Sequence, residues 1–420
     1  MPELRQEPER KTAMTCTESA KNTNSDLSSV NIVSREFKAD PFPFYARLRG
    51  EKPVCCVTVP GFGKAWLVTR YDDVVTVLKD DRFSKNEENA MKQPWVPSFA
   101  KPLQRNMLDL DDPDHARLRT LVHKAFTPSI VEQMGERIQA IADRLLDAVQ
   151  HKGSMDLVRE YALPLPLTVI VELLGIPSQD RDRFRLWSKA LLKTPTRFNL
   201  LCAVPSLIAF MRYLRRLFRR LRSTPQEGLL TALVQVEEAG DHLSEDELLA
   251  MAFLLLIAGH ETTVNLISSG TLALLQHPDQ LERLRSDPSI IRPAIEELLR
   301  FTNPLETTTP RYAREEAKIA GVTIPRGALV LAAIASANRD ETQFDNPERL
   351  DITREKNRHL AFGQGAHFCL GAPLARLEGQ VAISTLLRRL PNLRLAVPIE
   401  SLRWRATPVL RGLEALPVRF

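Results

Sequence analysis

Residues 362–371 of the chain read FGQGAHFCLG, and this stretch constrains the fold more than any other. Two glycines, Gly363 and Gly365, allow the backbone to turn tightly just ahead of Cys369. Leucines at helical spacing follow directly. The stretch therefore predicts a glycine loop that places a cysteine at the start of a helix.

The position of Cys369 predicts a charged sulfur. The free N–H groups and the dipole at a helix N-terminus favour an anion, so we expect the side chain to be a thiolate. A thiolate with N–H donors is a good ligand for a soft or borderline metal, and haem iron is one such metal. An inert cysteine beside a helix cap is the alternative for a lone cysteine, but it leaves the rest of the pattern unexplained.

A long helix further upstream carries polar residues in an apolar setting. Ser244 and Glu247 match a capping box, and the helical pattern continues without proline to about Gln276. Residues 254–258 are apolar on every face, which predicts a helix that crosses the core. The segment 259–263, GHETT, interrupts this apolar run and needs an explanation.

Two simple explanations fit this segment poorly. His260 and Glu261 begin the pattern of zinc proteases, but that pattern needs a second histidine one turn later, where this chain has Val264. A solvated bend of the helix is the other explanation, and it conflicts with the apolar flanks.

The remaining pattern predicts a mainly α fold, one large helical domain with small β-sheets. Residues from Thr127, an N-cap before a proline, to about 276 are nearly all helical in pattern. The β-like runs 54–59 and 65–69 predict a hairpin, and short β-like pieces after Pro304 predict a small sheet.

The first residues differ from the rest. Residues 1–36 are polar and show no apolar period, so we expect a disordered leader there. The ordered domain is then expected over residues 37–420.

Composition limits the cellular setting. The formal net charge is +5, and no basic strip is interleaved with aromatic residues, so we expect no nucleic-acid partner. Five cysteines, an odd number, favour a reducing compartment, and we expect a cytoplasmic protein. No run reaches the roughly 18 apolar residues of a membrane span, so we expect no transmembrane segment.

A cluster of arginines occurs within residues 212–222. Its members alternate with apolar residues at helical spacing: Arg212, Arg215, Arg216, Arg219, Arg220 and Arg222. One interpretation is the solvated face of a surface helix, because most charge runs of this kind are that. The other is a docking surface for an anionic substrate or carrier. The sequence leaves both open.

Residues 362–371 resemble the cysteine loop of the cytochrome P-450 family of haem-thiolate monooxygenases. The family pattern Phe, Gly, x, Gly, x, His, x, Cys, x, Gly is matched at every fixed position, and the resemblance covers roughly residues 37–420. It implies the cytochrome P-450 fold, haem b as cofactor and Cys369 as the axial ligand of its iron, within a loop that includes Phe362, Gly363 and Gly371. The chain is most similar to the bacterial branch that tailors polyketides and macrolides, and close relatives handle fatty acids and terpenoids.

In the long helix the resemblance implies an oxygen pocket. Ala258 and Gly259 would leave room above the iron, and Glu261 with Thr262 matches the family's acid–alcohol pair, which relays protons. The hydroxyl of Thr262 can bond back to a helix carbonyl and kink the helix locally.

Other residues take supporting roles by the same resemblance. The haem propionates would be bound by His115, Arg119, Arg311 and His367. Glu297 and Arg300 match a structural ExxR pair that bonds to residues 346–349. The substrate pocket would be lined by Leu254, Ile257, Ala258, Thr307 and Val409. Loops at 86–105 and 195–205 would cover it.

The resemblance also implies partners. Electrons would come from a separate ferredoxin or flavodoxin with its NAD(P)H-dependent reductase. Candidate docking residues are Arg117, Lys124, Arg354, Lys356 and Arg358. The predicted reaction is hydroxylation or epoxidation of a small, largely apolar molecule, free or carrier-bound. Two alternatives remain: a peroxide-driven haem enzyme, which typically lacks the acid–alcohol pair, and a haem protein that only senses gas or carries electrons.

Overall fold

The structure, a computed structural model, describes residues 30–91, 97–191, 197–238 and 240–420. Helices dominate it, as predicted. Their bounds are α1 Arg35–Ala39, α2 Phe42–Glu51, α3 Tyr71–Lys79, α4 Asp114–Ala125, α5 Pro128–Gln150, α6 Pro164–Leu173, α7 Arg181–Leu191, α8 Arg197–Ser223, α9 Leu229–Gln235, α10 Glu245–Gln276, α11 Pro278–Ser286, α12 Ile291–Thr302, α13 Ile334–Ala337 and α14 Ala372–Arg389.

The strands are short and form small sheets. Their bounds are β1 Val54–Val59, β2 Gly63–Val68, β3 Phe83–Ser84, β4 Ser154–Asp156, β5 Glu237–Glu238, β6 Asp241–His242, β7 Arg311–Ala313, β8 Ala317–Ile319, β9 Val322–Ile324, β10 Leu329–Ala332, β11 Arg394–Leu395 and β12 Pro417–Arg419. The largest sheet has the order β1-β2-β10-β7-β3, and β11-β12-β4 forms a second. The predicted hairpin is β1–β2, paired antiparallel with Val54 opposite Val68.

α10 is the central helix. Its N-terminus has the predicted capping box, since the Ser244 hydroxyl accepts from the Glu247 N–H and the Glu247 carboxylate accepts from the Ser244 N–H. Residues 263–274 are all buried, and α6, α12 and α14 pack around the helix. Length and composition alone would let α10 cross a membrane, but here it is the core helix of the described fold.

α14, which follows the cysteine loop, lies very close to α10. A Cβ at Gly379 of α14 would stand 2.9 Å from the Leu266 side chain of α10. Only glycine permits this approach without a shift of the neighbour. The small residue thereby fixes the cysteine loop relative to the central helix.

Two boundaries predicted from the sequence are wrong. Order begins before Phe37, because Ile32 is fully buried and the Ser34 hydroxyl caps α1. Residues 1–29 of the predicted leader lie outside the described residues. The loop predicted at 195–205 is largely helical, because α8 begins at Arg197 and contains Pro205.

Candidate active site

The cysteine loop, residues 362–371, has the predicted glycine turn. Gly363 and Gly365 have φ angles of +69° and +75°, in the left-handed region that favours glycine. The Cys369 N–H donates to the Phe362 carbonyl at 2.9 Å, which closes the loop. Gly371 caps α14, and a Cβ there would stand 4.0 Å from the Cys369 sulfur. The loop therefore holds one sulfur in a fixed position beside a helix N-terminus.

The predicted lowering of the Cys369 pKa is not found. Cys369 is an exposed residue, yet desolvation by the surrounding protein raises the pKa of its thiol. The Gly371 N–H and the charge of Arg119 act in the opposite direction but do not prevail. A bound metal cation would supply the missing stabilisation, because a coordinating thiol is deprotonated by the metal itself.

A cluster of cationic and imidazole groups gathers beside this loop. α4 provides His115 and Arg119, β7 provides Arg311, and the cysteine loop provides His367. The rings of His115 and His367 have centroids 4.2 Å apart. Lys85, which follows β3, joins them. The cluster thus draws on segments that are far apart in the sequence.

Burial and mutual repulsion depress the pKa values of His367, Lys85 and Arg311. The pKa of His367 falls to about 3 through desolvation and the nearby charges of His115, Arg311 and Lys85. Desolvation and then Arg311 lower the pKa of Lys85 to about 7, and desolvation lowers that of Arg311 to about 10. The nearby Asp111 carboxylate opposes each of these shifts but does not cancel them.

The cluster suits a ligand that brings carboxylates. His115 Nε2 is buried without a hydrogen-bond partner among the described residues, although its Nδ1 lies 3.2 Å from Asp112. Arg119 already donates to the Phe368 carbonyl at 2.8 Å and so ties α4 to the cysteine loop. A group with an iron for Cys369 and two carboxylates for the cluster fits this donor set.

One face of α10 is not covered by the rest of the described fold near its middle. Leu254, Ile257, Ala258, Glu261 and Thr262 follow the spacing i, i+3, i+4, i+7 and i+8, which places them on one face. Ala258 is exposed although it lies in the middle of a core helix, and the other four are half-buried. This face therefore borders open space and forms an apolar wall that ends in an acid and an alcohol.

The acid and the alcohol have defined partners. The Thr262 hydroxyl donates to the Ala258 carbonyl at 3.1 Å, as predicted, and α10 continues as one helix through this point. The Glu261 carboxylate accepts from Arg405 at 2.9 Å. Desolvation raises the pKa of Glu261, and Arg405 partly offsets that effect. A carboxyl group with a raised pKa holds its proton more firmly than an ordinary glutamic acid, which suits a group that delivers protons.

Gly259 also has a packing role. A Cβ at this position would lie 3.3 Å from the Ile170 side chain of α6. The missing side chain therefore allows α6 to pack closely on α10. The expected place of Gly259 beside the cofactor stays a prediction.

Thr307 and Val409, both predicted to line the substrate pocket, lie next to each other but differ in burial. The Thr307 N–H donates to the Val409 carbonyl at 3.3 Å. The Thr307 side chain is fully buried, and its hydroxyl donates to backbone carbonyls, one of them Pro408 at 3.3 Å. Val409 is half-buried. Thr307 thus supports the pocket wall from behind.

The Glu297–Arg300 pair has the predicted structural geometry. Both side chains are fully buried and joined by two hydrogen bonds of 2.8 Å. Arg300 also donates to the carbonyls of Pro347 and Arg349, within the predicted segment. A third acceptor is the carbonyl of Asn338, whose side chain in turn accepts from the N–H of Leu360 just ahead of the cysteine loop. Through these bonds the pair holds in place the segment of chain that leads into the cysteine loop.

Two of the predicted docking residues are occupied within the fold. Arg117 pairs with Asp241 at 3.1 Å and with Glu247, and Arg354 pairs with the buried Glu297 at 3.1 Å. Lys124, Lys356 and Arg358 are exposed. Residues 92–96 of the predicted lid lie outside the described residues.

Sequence reasoning missed Lys85 and Arg405. A lysine after a short strand and an arginine near the C-terminus are common features, so neither carries a local signal. Both become significant only through neighbours that are distant in the sequence: Arg311 and His367 for Lys85, and Glu261 for Arg405.

The chain is similar to known proteins over almost its whole length. The family model for "Cytochrome P450" matches residues 207–393. The cytochrome P450 monooxygenase PikC of Streptomyces venezuelae is 44% identical over 407 residues, which covers 96% of this chain and 97% of PikC.

Solved structures of cytochromes P450 have the same fold as this chain. Cytochrome P450 PksS of the bacillaene polyketide synthase of Bacillus subtilis 168 superposes with a TM-score of 0.88 at 44% identity, covering 93% of this chain and 99% of PksS. P450BioI, solved with an acyl carrier protein that carries hexadec-9Z-enoic acid, gives a TM-score of 0.83 at 40% identity, covering 92% of this chain and 99% of P450BioI.

Relatives at this identity and coverage establish what the cysteine loop and the mainly helical fold had suggested. The chain belongs to the cytochrome P450 family: it is an oxygen-incorporating oxidoreductase with haem b as its cofactor, and it depends on redox partners for electrons.

Proposed function

We propose that this enzyme hydroxylates or epoxidises a small, largely apolar molecule of the polyketide, macrolide, fatty-acid or terpenoid classes. Electrons come from a ferredoxin or flavodoxin and its NAD(P)H-dependent reductase, and the enzyme works in the cytoplasm, where those nucleotides are available. The observation that carries the proposal is the open face of α10, where an apolar wall and an acid–alcohol pair border the same space.

The similar structures support these substrate classes. PksS belongs to a polyketide synthase, and P450BioI was solved with a fatty acyl chain on a carrier protein. In this chain the half-buried Leu254 and Ile257 and the small Ala258 suit an apolar chain, because ligand pockets are mostly apolar with a few placed polar groups. A substrate attached to a carrier is part of the proposal.

The residues of the cysteine side would hold the cofactor. Haem b, when bound, supplies an iron at which dioxygen is reduced, so that one oxygen atom enters the substrate and the other leaves as water. Cys369 would ligate the iron. The two carboxylates of the haem would be bound by the cationic and imidazole cluster: His115, Arg119, Lys85, Arg311 and His367.

The residues of the open face of α10 control protons. Glu261 can hold a proton on its carboxylate because desolvation raises its pKa. The Thr262 hydroxyl donates its hydrogen bond to the Ala258 carbonyl. Its oxygen can therefore still accept a hydrogen bond from water or from the carboxyl group of Glu261. The pair therefore orients a proton at the apolar wall, where substrate is held.

Spectral titration followed by isotope labelling tests the function. Polyketides, macrolides and fatty acids are added to the purified holoenzyme, and compounds that shift the spin state of the iron are incubated with NADPH, ferredoxin, reductase and ¹⁸O₂. We expect a product with one ¹⁸O atom that forms only when ferredoxin is present. Turnover with hydrogen peroxide alone would indicate the peroxide-driven alternative, and the lack of any spin-state shift would favour a sensor or electron carrier.

A further inference from the structure

The C-terminal half of α8 displays more arginine than the fold uses. Arg215 pairs with Asp246 at 3.3 Å and with Glu245 at 3.7 Å, and so fastens α8 to the start of α10. Five others are exposed and form no ion pair with any part of the chain that the structure describes: Arg212, Arg216, Arg219, Arg220 and Arg222. Of these six arginines, only Arg215 therefore forms an ion pair within the part of the chain that the structure describes.

Two of the free arginines line a groove between α7 and α8. The groove has a volume of about 460 Å³, and its lining includes Arg183, Arg216 and Arg220. Trp187 and Tyr213 form an aromatic wall, with ring centroids 5.4 Å apart. A concave surface of this kind differs from the evenly solvated helix face that a charge run usually forms.

The groove has an excess of positive charge. Its one acid, Asp180, accepts a hydrogen bond from the Tyr213 hydroxyl at 3.1 Å. Arg183, Arg216 and Arg220 line the same groove, and none of them forms an ion pair with a carboxylate of the residues that the structure describes. Guanidinium groups bind phosphates and carboxylates through paired hydrogen bonds, and aromatic walls contact the apolar parts of a ligand.

The apolar side of α8 argues against a lipid surface. Leu214, Leu217, Phe218 and Leu221 are all buried in the protein core, so no apolar side chain of this half of α8 is free to enter a bilayer. Interfacial helices need such a face together with their basic residues. An acidic, water-soluble protein matches this surface better.

The surface is also connected to the substrate side of the fold. Phe210 of α8 contacts Phe253 of α10, with ring centroids 6.2 Å apart. Phe253 directly precedes Leu254, the first residue of the open face. A partner bound on the outer side of α8 is therefore one helix away from the apolar wall.

We propose that Arg183, Arg216 and Arg220, with Trp187 and Tyr213, form the docking groove for an acidic carrier protein. The arginines bind the acidic surface of the carrier and the phosphate of the arm that bears the acyl group, and the aromatic wall contacts the apolar part of that arm. The inference rests on the proposed function only in that the carried acyl group is its substrate.

The experiment compares two charge-reversed holoenzymes with the unmodified one. The groove variant carries Arg216→Glu and Arg220→Glu. The matched control carries Arg212→Glu and Arg222→Glu, which makes the same change in charge on the same helix outside the groove. The probe is a bacterial fatty-acid carrier protein loaded with a hexadecanoyl group on its phosphopantetheine arm, and binding is measured by calorimetry at two salt concentrations.

We expect the groove variant to bind the loaded carrier about tenfold more weakly or worse, and the control variant to change much less. The carrier without its arm should bind the unmodified enzyme more weakly than the loaded one. Equal losses in both variants, or no binding to the unmodified enzyme, would overturn the docking groove. So would a groove variant that binds the carrier normally but accepts electrons from ferredoxin more slowly.

Two further measurements separate this inference from the proposed function. The carbon monoxide spectrum and the spin-state shift with free hexadecanoic acid should be the same in all three enzymes, which shows that the variants are folded and that the pocket is intact. If the carrier docks as expected but neither free nor carried acyl chains are oxidised, the proposed function fails and the docking groove stands.

Discussion

Cys369 is held by backbone contacts that do not depend on a metal. Its N–H is bonded to the Phe362 carbonyl, and Gly371 leaves the space beside the sulfur free of a side chain. We therefore expect Cys369→Ala to abolish the red-shifted Soret band that the reduced carbon monoxide complex of a thiolate-ligated haem shows. Cys55→Ser is the control, because Cys55 is also a free thiol but is buried elsewhere. A Cys369→Ala protein that kept the band would refute the ligand assignment.

Thr262 allows a second test at the level of one residue. In Thr262→Ala the hydroxyl is lost while the apolar wall remains, so we expect substrate binding and NADPH consumption to persist, with less product and more hydrogen peroxide per electron. Thr262→Ser keeps the hydroxyl and should remain coupled. All three quantities are measured in one reaction, and unchanged coupling in Thr262→Ala at full haem content would contradict the proton role.

Glu261 should behave differently from its neighbour. Glu261→Gln keeps the shape of the side chain and removes the acid, so we expect kcat to fall by about a hundredfold or more with little change in substrate affinity. Glu261→Asp retains an acid and is the matched comparison. Steady-state kinetics under air distinguish the two, and equal rates in Glu261→Gln and the unmodified enzyme would exclude general acid catalysis by this residue.

Individual residues were predictable where the sequence carried a dense local pattern. Cys369 and its two loop glycines were recognised because ten adjacent positions act together. The packing role of Gly259 could not be predicted, because sequence shows that a side chain is missing but not which neighbour fills the space, and here that neighbour is Ile170. Lys85 could not be found, since its role depends on the fold that brings Arg311 beside it.

Among the elements, the hairpin at residues 404–413 has an unexpected role. Arg405 donates to the Leu413 carbonyl at 3.2 Å within this hairpin and to Glu261 of α10 at 2.9 Å. A Cβ at Gly412 would stand 1.9 Å from the Asn265 side chain, so the hairpin lies directly against α10. The position of the acid is therefore set by two elements, the helix that carries it and the hairpin that pairs with it.

This pairing predicts a pH effect. The charge and hydrogen bond of Arg405 lower the pKa of Glu261, against the larger effect of desolvation. Turnover that needs protonated Glu261 falls as the pH rises through its pKa, and in Arg405→Met that pKa is higher. We therefore expect the alkaline fall in kcat to move to higher pH. Arg403→Met, an exposed neighbour, is the control. A fall at the same pH in both variants would contradict the pairing.

Elements with strong local signals were predicted well. The capping box of α10, the hairpin β1–β2 and the Thr127 cap of α5 all depend on short-range chemistry, and each is present. The segment 195–205 was expected to be a loop from the family resemblance, yet it is helical from Arg197 onward and α8 contains Pro205. Residues 195 and 196 lie outside the described residues.

At the scale of the whole molecule, the site is assembled from distant parts. The cationic cluster joins residues near positions 85, 115, 311 and 367, and no single segment shows that they meet. Family resemblance anticipated most of this assembly, whereas physical reasoning from one sequence could identify only the cysteine loop and the core helix. The surplus of arginine on α8 was visible in the sequence, but its groove was not.

We expect electrons to be delivered at the surface around the cysteine loop, which is formed by several parts of the chain. A groove of about 660 Å³ between α4 and this loop is lined by Arg119, Lys124 and Gly365 among others, and Lys356 and Arg358 are exposed just upstream of the loop in the sequence. We expect Lys356→Glu with Arg358→Glu to slow reduction by an acidic ferredoxin and to weaken its salt dependence. Stopped-flow reduction at low and high ionic strength measures both. An unchanged salt response would exclude these two residues from the docking surface.

The hairpin at 404–413 has two structural roles within ten residues. Its tip brings Val409 against the backbone of Glu306 and Thr307, at the proposed substrate wall, while its base holds Arg405, the partner of the proposed catalytic acid Glu261. Mutations that reshape the wall through Val409 will therefore also shift Arg405. In laboratory evolution of this enzyme, mutations at the tip that change regioselectivity should also change the amount of product formed per dioxygen consumed. Second mutations that restore this ratio should accumulate at the base of the hairpin.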